Sequence, residues 1–411
     1  MSSPTPSKRS AAGRPAQSGR RVLVALAVVG LLGGAYLLSR TEPPPPQLLH
    51  GPAPELTTRA GNALLQAPAG TLSAVRGEHG EPDEAGLRLR RAEEILANYR
   101  RFAQYPPGSR PAKEHPDQMT PLAPVVRQQP LYGKGQANEE VRVQLGQDRR
   151  ELVGDESVRL WLRCEDSQGK VLPCQVPQAT AMVAPPQESN VPSVAVRFAD
   201  DGRSGDAQSD DGTLTATVQP VSLGFGQLHG PLRVQLSISM GREQGSAFFD
   251  VMYTPDAPAR FAGKVSESVS GGSLVLSVGL HVTRPGRYFV IGRVDDHREQ
   301  QLAYLEWDGQ LVAGAQTVPL TVFGKLMHDQ RPELPLRLRD VEGFLFVEDS
   351  APDRMHLPRL AGVVHTTQVY SLADFSDREW DSEQKRRYLD EYQKDVEQAA
   401  REATQPASKA P

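Results

Sequence analysis

Thirteen residues, Asp200-Asp201-Gly202-Arg203-Ser204-Gly205-Asp206-Ala207-Gln208-Ser209-Asp210-Asp211-Gly212, bring five aspartates and three glycines together. Carboxylates this close repel unless a cation or basic side chains offset them. Calcium takes six to eight hard oxygens in a flexible shell, and glycines let the backbone wrap an ion and offer carbonyls. Asp200, Asp201, Asp206, Asp210 and Asp211 are therefore the candidate metal ligands, with structural calcium as the expected ion. The EF-hand spacing is missing, and alternating strand-like segments flank the loop: Val194, Val196 and Phe198 before it, Leu214, Ala216 and Val218 after it. Two other readings stand beside calcium. Asp-Gly is a standard turn signal that needs no metal, and Arg203 with nearby arginines could neutralise the carboxylates.

Cys164 and Cys174 are the only cysteines and flank a Ser167-Gln168-Gly169 turn. With strands on both arms they face one another across a hairpin, so a disulfide is expected in an oxidising compartment. Closing a loop of roughly ten residues adds on the order of 2–3 kcal/mol in the loop-entropy account. The spacing is not that of a redox-active C-x-x-C pair. No G-x-S-x-G, H-E-x-x-H or Walker loop occurs. His356 and His365 share a segment, and His328 precedes Asp329, but neither pair has a companion at ligand or triad spacing. No catalytic residue is assigned.

These groups need a scaffold and a place. Net charge of −4 argues against general nucleic-acid binding, which needs a basic surface. Hydrophobic content of 38% with 35 Pro and 36 Gly is low for one compact globule and suits linkers and loop-rich β structure. Residues 22–38, VLVALAVVGLLGGAYLL, are free of charge. Seventeen residues at 1.5 Å each give roughly 25 Å, the short end of a bilayer span. Lys8, Arg9, Arg14, Arg20 and Arg21 precede the run, which orients the N-terminus to the cytoplasm and everything after it outward. A cleaved signal peptide is the competing reading.

The expected organisation follows. Residues 1–20 form a polar cytoplasmic tail, 21–39 the membrane anchor, and 40–84 a Pro-rich stalk with four consecutive prolines. Ala92, Ile95, Leu96, Tyr99 and Phe102 recur at helical spacing and predict a helix over 88–104, its stripe resting on a domain. The rest of 85–130 is Pro-rich and expected to lie extended across a surface. From about 139 the period becomes two: Val141/Val143/Leu145, Val158/Leu160/Leu162 and Leu232/Val234/Leu236/Ile238 predict a β-sandwich over 131–257. A second sandwich is expected over 258–370, from Leu274/Leu276/Val278/Leu280/Val282, Tyr288/Val290, Leu302/Tyr304, Val318/Leu320/Val322 and Leu345/Val347. In 371–411, Ser376 and Glu379 have capping-box spacing. Leu389, Tyr392, Val396 and Ala399 mark a C-terminal helix, packed on the second sandwich or partly free. The fold class is mainly β, two consecutive Ig-like or fibronectin-like sandwiches with helices at either end.

The stretch FADDGRSGDAQSDDGTLTATV resembles the acidic-loop signature of choice-of-anchor X domains, Ig-like extracellular domains of bacterial surface and envelope proteins. Leu214 stands near where that family commonly has an aromatic. The resemblance implies an Ig-like fold and an extracytoplasmic place in a bacterial envelope, and it implies no reaction. GRYFVIGRV and LTVFGKLMHD look like the β domain that often accompanies it. The functional expectation is a non-catalytic, membrane-anchored envelope protein for binding, adhesion or structural support, with a protein or surface-glycan partner. An accessory subunit of a secretion or motility complex and a hydrolase on a β scaffold are the alternatives.

Overall fold

A computed structural model describes residues 84–133, 135–184 and 193–404. The expected tail and anchor, the stalk as far as residue 83, and the last residues from 405 lie outside the described residues. Among the described residues no helix is long and apolar enough to cross a membrane.

Helix α1, Glu84–Phe102, starts four residues earlier than its stripe predicts. Pro106 and Pro107 follow its end, where the ring and missing N–H forbid continuation. Residues 103–123 then run as a strap along the second sandwich. The strap forms strand β1, Ser109–Pro111, and two single 3₁₀ turns, Ala112–Glu114 and Pro116–Gln118. The segment lies along a domain but is not extended throughout: two 3₁₀ turns break it, and it is built into the sandwich, with Ser109, Arg110, Ala112 and Met119 buried, Met119 completely.

Ten strands build the first sandwich: β2 Val125–Gly133, β3 Gln136–Gln147, β4 Glu151–Val153, β5 Val158–Asp166, β6 Val171–Leu172, β7 Gln175–Val183, β8 Val194–Ala195, β9 Leu214–Val218, β10 Gly230–Met240 and β11 Glu243–Thr254. They form one ladder in the order β6-β5-β3-β2-β11-β10-β7-β8, with β9 on β5 and β4 parallel to β11. Among the described residues, the pairing of Ser246 with Tyr132 joins the two halves. Val143, Leu145, Leu160 and Leu162 from one half and Leu232, Val234, Leu236, Phe249 and Val251 from the other close a common core. The alternating residues read from the sequence are the inward ones, as a period-two pattern requires. The sandwich begins at Val125 and not at 131, because β2 pairs with β3 from Val125 onward.

The second sandwich sets a six-stranded sheet against a four-stranded one. Its strands are β12 Ala259–Phe261, β13 Ser266–Ser270, β14 Ser273–Val282, β15 Gly286–Asp295, β16 Gln301–Leu311, β17 Gly314–Val322, β18 Arg337–Phe346, β19 Arg354–His356 and β20 Leu360–Thr366. The larger sheet runs β1-β16-β15-β18-β19 with β20 on β18; the smaller runs β12-β14-β13 with β17 on β14. Leu274, Leu276, Val278, Leu280 and Val282 of β14 are each at most 1% exposed and centre this core. A short helix, α2 (Gly324–Gln330), interrupts the expected run of strands. The core extends past residue 370 to Phe375.

Helix α3, Glu383–Thr404, closes the described chain and packs on α1. The Tyr99 ring meets Tyr388 and Tyr392 edge-on, at centroid distances of 5.8 and 5.1 Å. The two helices therefore cover part of each other's stripe, around Tyr99, while Ile95 and Phe102 of the α1 stripe stay exposed; the sequence had left α3 on the second sandwich or partly free. The predicted capping box at Ser376 and Glu379 is also corrected: α3 starts at Glu383, with Ser382 Oγ accepting the Lys385 N–H at 3.0 Å. The reciprocal box sits on Ser371 and Asp374, around a 3₁₀ turn.

Candidate functional site

The acidic loop joins β8 to β9, its neck closed by the Ala199–Thr215 bridge. Gly202, Gly205 and Gly212 all take left-handed backbone angles, φ +67°, +96° and +82°. That region carries almost no penalty for glycine and explains the glycine spacing. The folded loop brings three of the five predicted ligands together. One carboxylate oxygen each from Asp200, Asp206 and Asp211 lies within 4.8 Å of the others. Oxygens on opposite sides of a calcium ion sit at most about 5 Å apart, given bonds of 2.3–2.6 Å, so the trio fits one hard cation.

Backbone donors already engage these groups. Asp200 accepts from the N–H groups of Asp211 and Gly212, at 3.2 and 2.8 Å. Asp206 accepts from Gly202 at 2.6 Å, and Asp211 from Thr213 at 2.7 Å. Asp201 stands apart from the trio and turns the chain locally through the Arg203 N–H at 3.0 Å. Asp210 is not in the trio either and holds a left-handed φ of 59°. The donor set is carboxylate-only, hard and open on the Asp211 side, where the residue is exposed.

Cys164 and Cys174 are disulfide-bonded, with Cα atoms 6.1 Å apart. Cys164 lies on β5 opposite Leu172 of β6, so the bond staples the expected hairpin. Gly212 of the acidic loop approaches Val171 of this hairpin so closely that an added Cβ would lie 2.7 Å from its Cγ1.

A second cluster lies between the two sandwiches. Arg359 Nη2 reaches Glu342 at 2.6 Å and Glu151 at 3.5 Å, so one guanidinium ties β18 to β4. Glu342 also accepts from Arg293 at 2.5 Å. The His356 N–H donates to Thr254 Oγ1 at 3.2 Å, and the His229 ring meets the Arg354 carbonyl at 3.3 Å. Burial, with Glu342 nearby, raises the Glu151 carboxyl above its ordinary range against the pull of Arg359. Burial pulls the His356 imidazole down to about 4, with Arg354 and Arg359 adding to the effect. None of these residues forms a local motif in the sequence. Their pairing runs across 191 positions, from Glu151 to Glu342, and only the fold brings it about.

The histidine pairs do not converge. His365 bonds Glu267 at 2.6 Å on the far edge of the second sandwich, away from His356. His328 meets the Phe375 carbonyl at 2.9 Å, while Asp329 accepts from Tyr105 at 2.7 Å and Lys325 at 3.1 Å. A pocket of about 170 Å³ opens beside α2, lined by Met327, Arg331, Pro332, Leu334, Leu372 and Phe375. That lining has no carboxylate, imidazole or hydroxyl side chain.

No protein family and no curated protein matches the chain. Among solved structures it is similar to a DUF4785 family protein from Legionella pneumophila, at 13% identity and a TM-score of 0.36. That match covers 57% of this chain and 58% of the other. Bovine butyrophilin matches at 11% identity and a TM-score of 0.19, covering 47% of this chain and 86% of the other. Escherichia coli alpha-2-macroglobulin activated by porcine elastase matches at 14% identity and 0.20, over 55% and 19%. The chain thus spans 58% of the first of these structures.

Proposed function

We propose that the chain is a non-catalytic protein of a bacterial envelope, anchored by residues 22–38 and carrying two Ig-like sandwiches outside the cytoplasmic membrane. There they bind or support a protein or surface-glycan partner. The observation that carries this reading is the Cys164–Cys174 bond. Such cross-links form and persist in oxidising compartments, which agrees with basic residues before the apolar run and none of comparable density after it. The Arg359 bridge between the sandwiches supports a spacer or platform. Short edge strands such as β8 and β20 offer backbone groups for β-augmentation. In this reading the Asp200–Asp206–Asp211 trio takes a structural calcium ion, as its hard carboxylate oxygens and glycine-rich backbone suggest.

Crosslinking in intact membranes, followed by pull-down and identification of partners, tests the proposal. The expected result is an intact N-terminus, no thiol reactive without reductant, and capture of an envelope or surface component through the sandwiches. A mature chain starting near residue 36, or free thiols at Cys164 and Cys174, refutes the anchored, extracytoplasmic reading. Stoichiometric capture through the C-terminal helix instead assigns the accessory-subunit role.

A further inference from the structure

Helix α1 is apolar on two sides. One side, through Ala92, Leu96 and Tyr99, faces α3. The other displays Leu87, Ile95 and Phe102, which are 49, 44 and 55% exposed. At 100° per residue, Leu87, Arg91, Ile95 and Phe102 fall within an arc of about 80°. Arg88 borders that arc and also meets Glu84 at 3.6 Å and Glu402 of α3 at 3.7 Å, while Glu94 lies with Arg90 and Arg101 on the other flank; all four arginines of this face are exposed. Across the whole helix five arginines face three glutamates, a net of +2 from 5 − 3, although the chain as a whole is at −4. Phe102 is stacked on one face by the Arg110 guanidinium at 3.7 Å, which fixes the ring and leaves its other face outward.

We propose that this face of α1 lies on the surface of an anionic lipid bilayer. Large apolar side chains interleaved with arginines are the pattern by which a helix seats at a headgroup boundary. The position of α1 in the chain supports the same occupant. It is the first described element after the apolar run, with 45 residues between them (84 − 38 − 1). A linker of that length spans at most roughly 150 Å when fully extended, so the anchor keeps α1 tethered within reach of the bilayer. A second copy of the helix is the less suitable occupant, because face-to-face pairing sets the Arg88 and Arg91 rows of both copies against each other. The tether in this argument rests on the anchored reading above; the surface of α1 does not.

The test uses the full chain reconstituted into vesicles. Both native cysteines are disulfide-bonded, so a single introduced thiol can be labelled. A fluorophore is attached at Ile95→Cys, and in a separate variant at the exposed Glu93→Cys on the opposite flank. Quenching by neutral acrylamide is compared on phosphatidylcholine vesicles and on phosphatidylcholine–phosphatidylglycerol vesicles. The expected result is a drop of about half in quenching at position 95 on anionic vesicles alone. Raised salt and the Arg88→Gln/Arg91→Gln background should abolish it, and position 93 should stay accessible throughout. Equal quenching at position 95 on both vesicle types overturns the proposal. So does protection on neutral vesicles that depends on protein concentration, which assigns the face to a second copy. Flotation with neutral vesicles reads the anchor separately. Chain that floats only with anionic vesicles and is protected at position 95 keeps this proposal and sinks the anchor.

Discussion

Arg293 is the residue whose loss should cost the second sandwich most. It is fully buried. Its guanidinium donates to the Gln118 carbonyl of the strap at 2.7 Å, to the Asp340 carbonyl at 2.8 Å and to Glu342 Oε1 at 2.5 Å. Arg293→Met keeps most of the volume and removes all three donors. Glu342 retains Arg359 at 2.6 Å and is not left as a lone charge. The buried Asp340 carbonyl is orphaned, at about 1–3 kcal/mol, and the part-buried Gln118 carbonyl loses its donor at a smaller cost. The expected destabilisation is therefore about 2–4 kcal/mol, from the carbonyls left without a donor and not from an unpaired charge. Arg287→Met is the internal comparison. Its two-pronged pair with Asp308 looks similar, but the side chains are 45 and 35% exposed, and such a pair is worth about 1 kcal/mol or less. Two cores make a single unfolding midpoint ambiguous. Peptide-resolved hydrogen exchange in low urea is the suitable assay, since it reads opening free energies segment by segment. In Arg293→Met, amides of β1, residues 112–121 and β15–β18 should open more easily by the stated amount, while those at the centre of β10 and β11 keep their protection. A change below about 1 kcal/mol, no larger than that in Arg287→Met, would refute the argument that the strap is held by this buried guanidinium.

Cys164→Ser/Cys174→Ser should lower the stability of the first sandwich by about 2–3 kcal/mol, read as lost exchange protection in β5 and β6 with β14 unchanged. Calcium should raise the first sandwich's melting temperature against chelator, and Asp200→Asn/Asp206→Asn should remove the increment; identical melts at saturating calcium eliminate the ion. His356 is held at about 4 against 6.5 unfolded, so the unfolded chain binds the proton first and stability falls as pH drops from 6.5 towards 4, by up to about 3 kcal/mol. His356→Gln should flatten the stability–pH curve in that window. For Glu267, burial favours the neutral acid, but hydrogen bonds from the Gln368 N–H, His365 and Tyr370 outweigh it and hold the carboxyl below its ordinary value. Its contribution is present above pH 4.5 and is lost as pH falls through the depressed value. Glu267→Gln should lose about 1–3 kcal/mol near neutral pH and show less further loss on acidification, measured by urea titration across pH.

Some of this molecule was set by sequence alone. Strict alternation in β14 or β10 has only one way to bury its apolar side, so it specifies both strand and inward face. Two cysteines flanking a short turn meet for the same local reason. The glycines and aspartates of the 200–212 loop dictated a tight, acidic turn, and the three carboxylates that converge lie within twelve residues of one another. Other features were decided by contacts distant in the chain. Leu302, Ala303, Tyr304 and Leu305 are consecutive and all buried, because the strap covers the outer face of β16 where a two-layer sandwich would leave water. Ser376 had the spacing of a cap, but its N–H is bonded to the Gly272 carbonyl at 2.9 Å, which holds the chain against β14 and delays the helix to Glu383. The stripes of α1 and α3 specified helices without specifying what covers them; Tyr99 of one met Tyr388 and Tyr392 of the other across nearly 300 residues, and Ile95 and Phe102 were left exposed. The Glu151–Arg359–Glu342–Arg293 network has no sequence signature, since charged residues read as solvated surface until burial removes the water and leaves only each other as partners.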